Sequence, residues 1–196
     1  MIYIDFHTHH IPTREDVIAV VEGRDTWGIH PWQADCEFIV PELSDKIAIG
    51  ECGLDTLRGP SMKIQQQVLR QQIVLSEKRS NPLIIHCVKA LDQLLSLRLE
   101  QHPKMPWMFH AFRGKPQQLQ SLLAAGFYIS FGFRYNEESL NLCPLERLML
   151  ETDDSKRSIV ELYNNVATLR GIKMSFLCAA MAENYLAFFQ KEPLLA

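Results

Sequence analysis

Short apolar runs alternate along this chain with longer segments in which apolar residues recur at helical spacing. Ile2-Tyr3-Ile4, Lys46 to Glu51, Leu83 to His86, Trp107 to His110, Phe127 to Gly132 and Arg147 to Asp153 read as strands, Lys46 to Glu51 and Leu83 to His86 of the buried kind. Between them, Met62 to Arg79 has helical composition, with Ile64, Val68 and Leu75 on one face, and stops before Asn81-Pro82. Leu91, Leu94 and Leu95 mark a second helix. Lys115-Pro116 opens a third, carrying Leu119, Leu122 and Leu123 and closed by Gly126. Ser158 with Glu161 reads as a capping box for a helix bearing Ile159, Leu162, Val166 and Leu169. A last helix from about Ser175 presents Leu177, Met181, Tyr185 and Phe188. Val17 to Val21 is too short for its period to separate a strand from a helical turn, and Gly53-Leu54-Asp55 reads as a turn. Met62, Leu69 and Ile73 form a second apolar stripe on the first long helix, a faint sign of a partner surface.

Strands alternating with helices of this length predict a parallel α/β fold. The chemistry-bearing residues follow the strands rather than precede them, as on the active face of a (β/α) TIM-type barrel. The 196 residues suffice for one domain spanning 1–196. Apolar content of 47% with 22% charged residues is that of a globular protein with no membrane span. Met1 to Asp5 lacks the basic head of a signal peptide, which predicts a cytoplasmic protein. Cys36, Cys52, Cys87, Cys143 and Cys178 are scattered and odd in number, indicating neither a disulfide framework nor a zinc ribbon. A net charge of −3 provides no global attraction for a polyanion, so a nucleic acid would have to be held locally.

Candidate chemistry begins in Asp5-Phe6-His7-Thr8-His9. Strand residues two apart point to the same side at roughly 6–7 Å, so His7 and His9 can converge on one ion. Alone the pair is weak evidence, but Glu51, His86, His110 and Asp153 each fall at the end of a further predicted strand. Four imidazoles and two carboxylates exceed the needs of one tetrahedral ion and suit two ions about 3.5–4 Å apart. Mixed nitrogen and oxygen donors favour zinc, manganese, iron or nickel without excluding magnesium.

The chain resembles the TatD family of metal-dependent hydrolases, amidohydrolase-like barrels described as deoxyribonucleases. The resemblance rests on Asp5-Phe6-His7-Thr8-His9, Gly28-Ile29-His30-Pro31, Ile49-Gly50-Glu51-Cys52-Gly53-Leu54-Asp55, Ile85-His86, His110-Ala111-Phe112-Arg113-Gly114, Glu151-Thr152-Asp153 and Asn184 to Phe189, in the family's order. It implies that His7, His9 and Asp153 hold one divalent metal, that Glu51 bridges, and that His86 and His110 complete the second site. The implied reaction is hydrolysis of phosphodiesters, in the first place those of DNA, by metal-activated water, with Glu51 and Asp153 catalytic and Asp153 able to take the water's proton. His30 is a substrate contact, an outer-sphere residue or a turn histidine. Asp55 orients a ligand or caps its turn. Lys89 and Arg113 are candidate phosphate contacts, with solvated surface charge the plainer reading. Cys52 and Cys87 alternate away from the ligands they follow and read as packing, as does the Phe188-Phe189 pair. His10 likewise turns away from His9, and His102 has no evident partner.

Three departures from the family pattern stand out. Too few residues separate the first strand from Thr26-Trp27-Gly28 for a helix, strand and helix, which predicts seven strands or an irregular eight, with Val17 to Val21 replacing the second strand. Val88 stands where the family often has arginine, two residues after His86, with Lys89 next. Ser155 stands where proline commonly follows the Thr-Asp pair. Loss of a planar phosphate grip leaves a small phosphoester, lactone or amide as an alternative substrate. A non-catalytic metal-binding protein is a further alternative, and the oligomeric state stays open.

Overall fold

A computed structural model describes residues 1–35 and 37–192; Cys36 therefore lies outside the described residues. The chain forms two compact units, one of Glu22–His110 and one of Met1–Val21 with the chain from Ala111 onward.

The middle unit carries β3 (Thr26–Trp27), β4 (Ala48–Asp55), β5 (Leu83–Val88) and β6 (Trp107–Phe109), with α1 (Met62–Arg79) before β5 and α2 (Leu91–Gln101) before β6. Each strand pairs in parallel with the next. Strand β4 runs through Gly53-Leu54-Asp55, where a turn was expected, because those residues register against His86, Cys87 and Val88. Gly53 permits this approach. Its φ is +148° and an added Cβ would lie 1.8 Å from the His86 carbonyl oxygen. A Cβ at Gly28 would likewise lie 2.6 Å from the Glu51 carbonyl oxygen, so the Gly28-Ile29-His30-Pro31 loop needs glycine to lie against β4.

Helix α1 has the predicted bounds, but its buried face is Gln65, Val68, Leu69, Gln72, Ile73 and Ser76. Leu69 and Ile73, expected on a second surface stripe, are 1% and 2% exposed and belong to the core. Helix α2 closes on His102, in the left-handed region at φ +45°. That helix-ending position is the role the sequence left unassigned.

The other unit pairs β1 (Tyr3–Thr8) with β2 (Val17–Val21) and β7 (Tyr128–Phe131) with β8 (Leu148–Leu150), both in parallel. Val17 to Val21 is thus a strand lying directly beside β1, and the connection between them holds no helix. Helices α3 (Pro116–Ala124), α4 (Glu137–Leu142), α5 (Ile159–Arg170) and α6 (Met174–Phe189) complete the unit. Helix α4 was not foreseen; Asn136 caps it by accepting a hydrogen bond from Ser139 N–H at 2.9 Å. At α5, Ser158 accepts from Val160 N–H, but Glu161 pairs with Arg157 instead of closing the box. Helix α6 packs Tyr185 and Phe189 around the fully buried Phe6 of β1. Burial of such a side chain stabilises by about 1.5–3 kcal/mol. Phe188 and Phe189 are core, as expected.

One device recurs at the strands that lead to the candidate ligands. Tyr163 of α5 accepts a hydrogen bond from Ile4 N–H at 3.0 Å and donates to Ile4 C=O at 2.9 Å, fixing β1 from the side. Burial pushes the Tyr163 hydroxyl well above the usual phenol range, so it stays a donor.

Candidate metal centre

In the middle unit three imidazoles surround one carboxylate. Glu51, at the centre of β4 and 4% exposed, presents Oε2 to His30 Nε2 at 3.4 Å, His86 Nδ1 at 3.6 Å and His110 Nε2 at 3.3 Å. Ligand atoms of His30, Glu51 and His86 all lie within 4.8 Å of one another. His86 comes from β5, and His110 follows β6, its N–H donating to Ile85 C=O.

Hydrogen bonds on the far side of two rings fix how they face the carboxylate. Asp55 Oδ2 lies 3.4 Å from His86 Nε2; with the ring proton on that nitrogen, the Nδ1 lone pair faces Glu51 and His110. Asp55 also accepts from Trp32 Nε1–H at 2.6 Å and, through Oδ1, from Leu57 N–H at 2.7 Å. Burial raises its pKa, but these bonds and His86 outweigh it, and the carboxyl titrates below its ordinary value. Asp55 therefore faces the His86 ring and caps its own turn. His30 is arranged differently. Its Nδ1 accepts from Trp32 N–H at 3.2 Å, so the neutral ring carries its proton on Nε2 and donates toward Glu51.

His86 Nδ1 and His110 Nε2 face each other at 3.3 Å beside an anionic oxygen. Two lone pairs at that distance repel unless a cation or a proton lies between them. The donor set of two imidazole nitrogens and a carboxylate fits a divalent transition-metal ion, and His30 Nε2 lies 3.4 Å from the same carboxylate oxygen.

The other unit contributes a second group. His7 ends in the core at 0% exposure, while His9 lies just past β1 and half open to solvent. Asp153 Oδ1 is 3.3 Å from His9 Nε2 and 4.0 Å from His7 Nε2. The backbone enforces this meeting. Asp153 N–H donates to His7 C=O at 3.0 Å and His9 N–H to Asp153 C=O at 3.1 Å, with Asp153 itself at φ +56°. Beneath them, Asp5 accepts from Thr152 N–H at 2.9 Å and from the Thr152 hydroxyl at 2.6 Å. Burial pushes the Asp5 carboxyl up to about 7, the Thr152 hydrogen bonds hold it back, and the charge of Glu151 adds to the rise.

The expected ligands are thus gathered as His7, His9 and Asp153 in one unit and Glu51, His86 and His110 in the other. Lys89, past β5 at φ +49°, and Arg113 are both exposed. His10 turns outward, its Nε2 3.3 Å from Asp154 C=O. Cys52 is buried with Sγ 3.6 Å from Ile84 C=O, the packing role expected of it.

Several further side chains take part. Gln72 of α1 accepts from Ile29 N–H at 2.7 Å and donates to Ile29 C=O at 3.1 Å, clamping the residue before His30. Gln65 accepts from Asp55 N–H at 2.7 Å and donates to Asp55 C=O at 2.9 Å. Their spacing of seven, two helical turns, on the face of Val68 and Leu69 was the available signal. Glu151, fully buried, accepts from Ala111 N–H at 2.6 Å, and Trp32 anchors on Asp55.

Residues 21–190 match the family model described as TatD related DNase. A protein of Erwinia amylovora named 3'-5' ssDNA/RNA exonuclease TatD is 30% identical over 84% of this chain and 77% of its own length. A protein of the same name from Escherichia fergusonii is 33% identical over 65% of this chain and 56% of its own length, so the chain spans little more than half of that relative. Among solved structures, the TatD homologue YJJV of Escherichia coli superposes with a TM-score of 0.75 at 20% identity, covering 91% of this chain and 79% of that one. A TatD-family hydrolase of Entamoeba histolytica gives 0.68 at 19% identity, covering 74% and 64%. These two likenesses show a shared fold.

Proposed function

The chain belongs to the TatD-related DNase family, and on that premise we propose that it is a metal-dependent hydrolase cleaving phosphodiester bonds of single-stranded DNA or RNA. The observation that carries this reading is the convergence of His30, His86 and His110 on Glu51 Oε2, with Asp55 facing the far side of the His86 ring. We assign one divalent ion to Glu51, His86 and His110 and one to His7, His9 and Asp153. Manganese, zinc and iron match the mixed donors best. A divalent ion supplies Lewis-acid stabilisation of phosphoryl charge and makes water more acidic there.

The chain's own residues do the rest. Asp153 Oδ1, already 3.3 Å from His9, is the acceptor for the proton of the attacking water. His30, its Nε2 3.4 Å from Oε2, holds Glu51 in place. Lys89 and Arg113 offer exposed positive charge to the phosphates. The exonuclease names borne by the relatives support single strands as substrate.

The test is hydrolysis of end-labelled single-stranded DNA, duplex DNA and RNA by protein reconstituted with manganese, magnesium or zinc, beside Glu51→Gln and Asp153→Asn. Metal-dependent release of mononucleotides, reduced at least about a hundredfold in either variant, is the expected result. A metal-loaded protein that cleaves none of these substrates would remove the nuclease assignment and turn the search to small phosphoesters and lactones.

A further inference from the structure

Beside the Glu51 cluster lies a surface to which the hydrolytic reading gives no role. Trp32 is 43% exposed, while Trp107 is fully buried and Trp27 half-buried. An exposed indole is ordinarily mobile, but this one is fixed from several directions. Its Nε1–H donates to Asp55 at 2.6 Å, and its backbone N–H donates to His30. Loop 56–60 is pressed against it: an added Cβ at Gly59 would lie 2.5 Å from Pro31 O and 2.9 Å from Trp32 Cα. Gln65 Nε2 holds that loop through the carbonyls of Arg58 at 3.0 Å and Pro60 at 2.9 Å. Leu57, 62% exposed, lies on the same loop.

The Arg58 guanidinium lies over the indole, its Cζ 4.6 Å from the ring centroid. A ring face that accepts a planar cation also accepts a nucleobase, and the displaced guanidinium has the planar donor fork that suits a phosphate. The platform stands beside the cluster. The Trp32 ring centroid is 5.7 Å from that of His86 and 4.5 Å from that of His30, and one carboxylate oxygen of Asp55 serves both Trp32 and His86.

Resting on the reading above, we propose that Trp32 and Arg58 form a nucleotide subsite in which a base of a single strand stacks on the indole while Arg58 takes the adjoining phosphate. Stacking is blind to sequence, because every base has a π-face, and it is closed to a paired base. The subsite therefore selects unpaired nucleic acid and places its backbone beside Glu51, His86 and His110.

The test is binding by the whole chain in EDTA, which prevents cleavage. The probes are a short fluorescein-labelled oligothymidylate and an abasic oligomer of the same length. The expected results are saturable quenching of indole fluorescence by oligothymidylate alone and an affinity about five- to a hundredfold weaker in Trp32→Ala, by anisotropy. Trp32→Phe, which keeps a ring face, should fall between parent and alanine variant, and its thermal melt guards against a folding artefact. Arg58→Ala should flatten the salt dependence by about 0.7 in log–log slope, one phosphate's worth. Equal binding of the abasic oligomer, or Trp32→Ala binding as tightly as the parent, would overturn the subsite. Metal-dependent DNA cleavage by the parent would meanwhile leave the nuclease reading standing. If the parent neither binds nor cleaves single strands, both fall.

Discussion

Gln65 offers the sharpest test of how this fold positions its chemistry. The side chain is 1% exposed, and its amide oxygen accepts from Asp55 N–H at 2.7 Å. Its amide nitrogen reaches the carbonyls of Asp55, Arg58 and Pro60 at 2.9, 3.0 and 2.9 Å. Two amide protons serve three carbonyls, so about three full hydrogen bonds are at stake. Gln65→Leu keeps most of the volume and removes all of them. The freed carbonyls of Arg58 and Pro60 can turn to water, but the N–H and C=O of Asp55 sit in a buried strand end. Two buried groups left unpaired cost about 2–4 kcal/mol together. Urea unfolding followed by circular dichroism measures this directly.

Gln65→Glu sharpens the experiment. A carboxylate still accepts from Asp55 N–H but sets negative charge against three carbonyl oxygens. Its folded pKa must rise above the usual value near 4.3. The sign follows: protonated at low pH, the variant approaches the parent, and its deficit grows as pH rises through and above that unfolded value. A Gln65→Leu protein within about 0.5 kcal/mol of the parent, with Gln65→Glu equally stable at pH 4 and pH 8, would refute the clamp.

Three other outcomes follow from the geometry. Gly53→Ala must move strand β5, since its Cβ would meet His86 O at 1.8 Å, so a loss above about 4 kcal/mol, or no soluble protein, is expected in yield and thermal melting. Asp55→Asn keeps the shape but loses the anion that holds His86 Nε2–H, and should weaken manganese or cobalt binding about 10–100-fold by titration calorimetry; because one amide oxygen cannot serve both Trp32 and Leu57, the metal-free protein should also lose about 1–3 kcal/mol in its melt. Chelation should abolish hydrolysis and lower the melting temperature; restored metal at a hundred times its dissociation constant should return about 2.7 kcal/mol of stability.

The pattern of apolar and polar positions carried most of the architecture, because strand and helix periods depend on local spacing alone. Helix α1 has its predicted bounds, and His110 and Asp153 fall just past strands as expected, while His86 lies inside β5, two residues before its end. The misses share a physical cause. Gly53-Leu54-Asp55 looks like a turn until a neighbouring backbone pairs with it. Gln65 and Gln72 look like solvent-facing positions, yet each is buried because its amide substitutes for a main-chain partner. The same two glutamines separate Leu69 and Ile73 from the rest of the apolar face, so the inward side of α1 does not read as one apolar stripe. Trp32 gave no signal of its own, since its anchor Asp55 lies 23 residues further on.

The most direct measurement is anomalous diffraction from a manganese-soaked crystal. The account predicts one ion bound by Glu51, His86 and His110 and another by His7, His9 and Asp153, with His30 and Asp55 outside the coordination sphere. Manganese absent from both groups at millimolar concentration, or bound through His30 Nε2 with Asp55 turned away, would contradict it.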